Sequence, residues 1–203
     1  MSESVAVDLY WIPLGAGATV VRLSGKVFEA ASALVQRRTA RPLFHSALEI
    51  IVPGRRVIIE MTPVLDEHGE RRGSVSEGSV GMSFLGRFRV FRYEIHRWDD
   101  GVIPDLAHAI GGANTVSTET AVAQRVLDLV PSVPTPVWGR DELDAGEMWN
   151  SNSVTSWLLV RAGVDVASLA PPMDGRAPGW TAGVVVAERA CREMQPGSAT
   201  SPS

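Results

Sequence analysis

LFHSALEIIVPGRRVIIEMTPV, residues 43–64, is the stretch on which the fold turns. Two β-prone runs, 43–52 and 55–64, flank Pro53-Gly54. Proline presets the first turn position and glycine tolerates the second, so the runs pair as a tight antiparallel hairpin. Working outward, VDLYWIPLG (6–14) is a further apolar strand, stopped by the glycine-rich GAGA at 15–18. GRFRVFRYEIHRW (86–98) alternates, with Phe88, Val90, Arg92, Glu94 and His96 on one face and Arg89, Phe91, Tyr93 and Ile95 on the other. It reads as a strand with a core face and a wetter face. The polar, glycine-rich segment 66–81 between these strands is expected to be a surface loop, and DDGVIPD (99–105) a turn.

Helical spacing takes over elsewhere. Val27, Ala30, Ala31, Leu34 and Val35 recur along Lys26–Arg38 after a Ser24 cap. A second helix runs from Thr118 to Val130, capped by Ser117 or Thr118 and ended by Pro131. A Pro- and Gly-rich loop (132–149) leads to a helix from Ser151 to Ala162, which Gly163 closes. A last helix covers about 182–194, and QPGSATSPS (195–203) reads as a disordered tail. Helices and antiparallel strands are interleaved unevenly. The expected class is therefore α+β: one domain over 1–194, with an antiparallel, small open barrel-like sheet packed against helices.

The bulk numbers bound the function. A formal charge of −4 gives no general basic face for nucleic acid, although Arg37, Arg38 and Arg41 cluster, as do Arg87, Arg89 and Arg92. The single cysteine cannot form an internal disulfide, and no CxxC or H-x-x-x-H spacing suggests a metal site. The N-terminus lacks the pattern of a signal peptide, and no apolar run approaches the ~20 residues that span a bilayer. A cytoplasmic protein with no membrane span is expected.

Chemistry concentrates at two places. His45 opens the strand 43–52 among apolar neighbours, where a histidine is also an ordinary core residue. Across the hairpin, Glu60 is expected near the His45 level, where a carboxylate can fix an imidazole tautomer. Glu49 shares the His45 face but lies ~13 Å along the strand, a weaker support. The second place is Trp149-Asn150-Ser151-Asn152-Ser153 at a helix start. Asparagine and serine are leading helix caps, so the bland reading is capping. Free N–H groups at such an end also stabilise an oxyanion or a nucleophile's developing charge. GAGA at 15–18 has no third glycine and no P-loop lysine, which makes it a weak phosphate motif.

LFHSALEI followed by RRVIIEMTP, with Asn150-Ser151-Asn152 much later at a helix start, resembles the permuted papain-like enzymes. That superfamily includes the lecithin:retinol acyltransferase type and relatives of NlpC-type peptidases. The resemblance covers about residues 43–64 and 148–163. It implies a circularly permuted papain-like fold, with His45 as base, Glu60 as orienting residue and Ser151 as nucleophile. Asn150, Asn152, Ser153 and Glu49 would support the site. The family's nucleophile is cysteine, and here serine stands in its place. A thiol ionises readily beside a cation and a helix N-terminus, whereas a hydroxyl must pass its proton to the base during attack. PPMDGRAPGW (171–180) looks like part of an uncharacterised actinobacterial set and carries no assigned role.

Three functions follow as expectations. One is a hydrolase or acyltransferase without cofactor or metal, acting on an amide, ester or thioester in a small molecule or peptide. The second is a pseudo-enzyme that keeps the cleft, lined by Trp149 and Trp157, and binds without turnover. The third is a module whose aromatic-rich segments serve a partner protein.

Overall fold

The Pro53-Gly54 reversal forms as the sequence predicts, with Gly54 at φ 68°, a left-handed conformation that suits glycine. In the computed structural model, which describes residues 4–14, 39–63, 74–79, 92–103 and 106–194, this hairpin lies at the centre of a six-stranded sheet. The strands are β1 (Ala6–Pro13), β2 (Phe44–Val52), β3 (Arg55–Pro63), β4 (Ser74–Ser79), β5 (Arg92–Asp99) and β6 (Asn114–Ser117). Their order is β4-β5-β3-β2-β1-β6, and every pairing is antiparallel. The sheet is open, with β4 and β6 as its edges. The helices among the described residues are α1 (Thr120–Leu129), α2 (Ser151–Ala162) and α3 (Trp180–Glu193). The fold is thus α+β.

Strand alternation sorts the sheet into two faces. Val7, Leu9 and Trp11 of β1, Phe44, Leu48 and Ile50 of β2, and Val57, Ile59 and Met61 of β3 belong to the main core. Tyr93 and Ile95 of β5 join them, together with Val126 and Leu127 of α1 and Val154, Trp157 and Leu158 of α2. The residues between them point the other way. Tyr10, Ile12, Ala47 and Ile58 form a smaller core with Ile103, against which Leu106 and Ala109 pack. Helix α2 is buried along most of its length, so its apolar residues cover several sides rather than one stripe.

Several expectations change. The segment 66–81 contains β4, an edge strand (SVSEGS) whose single apolar residue, Val75, gives no hydrophobic alternation. The four-residue β6 was also not foreseen. Helix α1 starts at Thr120 with Glu119 at the cap position and no side-chain cap; the Ser117 hydroxyl accepts from the Glu119 N–H at 3.1 Å. Helix α3 begins two residues early, at Trp180. The helix expected over 26–38, the GAGA motif, the clustered arginines other than Arg41 and Arg92, residues 86–91 and the tail 195–203 lie outside the described residues.

Two buried phenols give the fold an alkaline limit. Tyr93 is fully buried and donates to the Pro136 carbonyl at 2.7 Å, and burial, then the Glu142 carboxylate, push its pKa well above the ordinary value. Tyr10 donates to Glu49 at 2.7 Å, and burial, then that carboxylate, raise it likewise. The unfolded chain releases these protons near pH ~10, while the folded chain holds them, so stability is full below that pH and falls as pH rises above it. Each tyrosine should steepen that fall by about 1.4 kcal/mol per pH unit. Urea titrations from pH 9 to 11 on Tyr93→Phe and Tyr10→Phe should show a shallower decline. An unchanged slope in both variants would refute the assignment.

Candidate functional site

The first turn of α2 carries four polar residues, Asn150 to Ser153, and all are buried or nearly so. Such groups must find partners, because an unmet buried polar atom costs about 1–3 kcal/mol. Asn150 caps the helix: its Oδ1 accepts from the Asn152 N–H at 2.9 Å, and the Ser153 hydroxyl accepts from the Asn150 N–H at 3.1 Å. This is a capping box with the roles of the usual side chains filled by Asn and Ser. The Asn150 amide also donates to the Pro178 carbonyl at 2.8 Å. Ser153 donates to the Gly179 carbonyl at 2.7 Å, and Ser156, one turn on, donates to the Trp180 carbonyl at 2.7 Å. The polar side of α2 thus binds the chain entering α3.

Asn152 joins three parts of the molecule. Its amide donates to the Phe44 carbonyl at 3.0 Å and the Pro178 carbonyl at 2.9 Å, while its Oδ1 accepts from the Ser46 hydroxyl at 2.9 Å. The sheet explains how a helix side chain reaches the Phe44 carbonyl. The β2–β3 ladder ends at Leu48↔Ile59, although both strands continue. Beyond that pair, β3 stays with β5 through Pro63↔Tyr93, and β2 stays with β1 through Phe44↔Pro13. The two strands therefore part, leaving edge groups of β2 that β3 no longer serves. The Phe44 N–H donates to the Arg176 carbonyl at 2.8 Å, and its C=O takes the Asn152 amide. The start of α2 and the segment around Arg176 fill the gap.

Ser151 stands apart from its neighbours. It is 7% exposed at the first helical position, and among the described residues neither its hydroxyl nor its backbone N–H makes a hydrogen bond. Every other polar side chain from 150 to 153 has a structural partner. Ser153 in particular is fully buried and bound to Gly179, so its hydroxyl serves the junction of α2 with the chain entering α3.

The strand carrying His45 abuts this helix start, since the residues on either side of it, Phe44 and Ser46, both bond Asn152. His45 pairs with Ile12 across β1, and alternation directs its side chain to the face opposite Ser46. Glu60 lies on β3 past the last β2–β3 pair, and its partner in the ladder is His96 of β5. The hairpin therefore does not set Glu60 opposite His45: continuing the register would place it level with Ala47, where the strands have already separated. Next to His96, Glu94 has its carboxylate 3.5 Å from the imidazole Nε2. Glu49 belongs to a different network, accepting from Tyr10 and, at 2.7 Å, from Arg56.

Trp149 and Trp157 do not line a cleft. They are 1% and 4% exposed and belong to the main core, with Arg161 stacked 5.4 Å from the Trp157 ring centre. The aromatic residue near the helix start is Trp180, half-buried and tilted against Trp11 with ring centres 5.0 Å apart. Sequence reasoning also passed over Ser46, Pro178 and Gly179. Ser46 carried a readable signal, a polar residue at an inward position of a β-strand. The two carbonyl acceptors have none, because any residue supplies a carbonyl.

Among the described residues, no group of three or more His, Cys, Asp or Glu is placed to hold a metal ion, and no helix is long and apolar enough to cross a membrane. Comparison with protein-family models, with curated proteins and with solved structures finds no match to this chain.

Proposed function

We propose that this chain is a serine-dependent hydrolase or acyltransferase acting on an amide, ester or thioester, with Ser151 as nucleophile. The observation that carries the reading is Ser151 itself. Its two donors are unused, whereas the other polar side chains from 150 to 153 are all engaged. In the reaction, the Ser151 hydroxyl oxygen attacks the substrate carbonyl carbon and gives its proton to a base. The tetrahedral oxyanion is met by the Ser151 N–H at the positive end of α2. The C–N, C–O or C–S bond then breaks as the base returns the proton to the leaving atom, leaving an acyl-serine. Water or a second nucleophile attacks that ester in the second half. The permuted papain-like resemblance gives the base's role to His45, but alternation sets that side chain on the sheet face opposite the one that α2 covers.

A second reading is binding without turnover. It is favoured by the alternation that turns His45 away from α2 and by the register that gives Glu60 to His96, because a serine needs a well-oriented base more than a cysteine does. A fluorophosphonate probe with mass-spectrometric mapping separates the two. The expected result is an adduct on Ser151 that is absent in Ser151→Ala. A folded protein with no adduct at Ser151 would establish the binding reading.

A further inference from the structure

The sheet ends on one side at β6, whose outer edge takes no strand among the described residues. A strand edge is a row of unpaired N–H and C=O groups, which proteins ordinarily guard with proline, with charged side chains or with a covering segment. The opposite edge, β4, is guarded in two of these ways: it carries Glu77, and the Ser79 carbonyl accepts from the Trp138 N–H at 2.8 Å. β6 lies in GGANTVST (111–118), which has no proline and no charged residue. Asn114 and Thr115 are exposed. What restrains pairing at this edge is its four-residue length and a bulge at Val116.

Beside that edge, a buried carboxylate lacks a cation. Asp8 of β1 is 6% exposed and faces Glu49 of β2 directly across the ladder. Both lie near one guanidinium, Arg56, which directs Nη1 to Glu49 and Nη2 to the Gly101 carbonyl. Glu49 also takes the Tyr10 hydroxyl, whereas Asp8 receives the Thr115 hydroxyl on Oδ1 at 2.6 Å. Among the described residues its Oδ2 has no donor. A buried carboxylate is normally paired, because leaving water is costly to a lone charge. The side chain that Asp8 does bond belongs to the exposed Thr115 of β6, so the carboxylate leans toward the free edge.

We propose that the β6 edge binds an extended peptide segment as an added strand, with a lysine or arginine of that segment lying over Thr115 and paired to Asp8. The added strand lies two strand spacings, ~9.6 Å, from β1. The long stems of lysine and arginine cover such a distance along a sheet face while keeping the charged head free to reach a carboxylate. A four-residue edge offers few main-chain bonds, so side-chain contacts set register and specificity. Val116 packs against the main core on the other face, where alternation turns the two neighbours of the cationic residue; those neighbours should be apolar.

The test is amide NMR on the full chain, titrated with the capped peptides Thr-Val-Lys-Val-Thr and Thr-Val-Glu-Val-Thr. Shifts should centre on Asn114–Ser117, with the lysine peptide bound about tenfold or more tightly, the scale of one charge-assisted hydrogen bond. Asp8→Asn keeps an acceptor for Thr115 and removes the charge, and Thr115→Lys sets a cation over Asp8 from an exposed position. In both variants, with folding checked by the same spectra, the preference for lysine should vanish. Shifts confined to other residues, no shifts at millimolar peptide, or equal binding of the two peptides by wild type would overturn the proposal. A preference that survives in a folded variant would overturn it too, since the attraction would then come from the general negative charge of the chain. If Asp8→Asn does not fold, Thr115→Lys decides.

Discussion

Asn152→Ala is expected to lower the unfolding free energy by about 3 kcal/mol, because it leaves the Phe44 carbonyl and the Ser46 hydroxyl buried without their partner, at about 1–3 kcal/mol each. The Pro178 carbonyl suffers less, since the Asn150 amide still reaches it. For a chain of this size the loss corresponds to a fall in Tm of about 6–12 °C. Asn152→Asp is the sharper probe. It keeps an acceptor for Ser46 but turns a carboxylate oxygen toward two carbonyl oxygens, so it should be at least as damaging as alanine. Ser46→Ala removes one bond and should cost about 1 kcal/mol. Thermal and urea unfolding of the three variants check the order. An Asn152→Ala protein within 0.5 kcal/mol of wild type, a spread on the order of that for ordinary surface changes, would mean that the junction of helix and sheet is not built as described.

Gly183→Ala should also destabilise strongly, and here two general effects point in opposite directions. Alanine is favoured over glycine inside a helix by about 1 kcal/mol, so propensity alone predicts a gain. Packing predicts a loss. A Cβ at Gly183 collides with the Ser153 carbonyl oxygen and the Ser156 hydroxyl, and the first of these is backbone that cannot swing aside. Helices α2 and α3 approach there with no side chain between them, joined by the Ser153 and Ser156 hydroxyls. Forcing them apart should outweigh the propensity term, for a net cost of about 2 kcal/mol with alanine and more with valine. Guanidinium unfolding of Gly183→Ala decides the matter by its sign: a stabilised protein would show that the helices do not pack this closely. Since the same contacts hold Ser151, a destabilised variant should also label more slowly with fluorophosphonate.

Much of the architecture is legible along the chain because it is local. Pro53-Gly54 can only reverse the strands it joins, and Gly163 at φ 92° ends α2 where the helical pattern stops. Alternation separates Tyr93 and Ile95 from Glu94 and His96, and the structure shows the first pair to be the core side. Elements without such a signature are missed. β4 is polar and contains a glycine that lies under the Tyr93 ring, and β6 is only four residues long; each is a strand because a neighbour supplies the ladder.

The candidate site divides along the same line. The sequence alone determines that residues 150–153 begin a helix, that the run is more polar than one cap requires, and that His45 opens a strand. Whether each polar group serves the fold or remains available depends on partners from 26 to 108 residues away. A hydrogen bond is decided by the arrival of a donor and an acceptor within about 3 Å, and the spacing of residues along the chain does not report that distance. Tertiary structure therefore decided that Asn150, Asn152 and Ser153 are bound internally, that Glu60 pairs with His96, and that Trp149 and Trp157 are core. It also decided that Ser151 alone in the run keeps its hydroxyl unused.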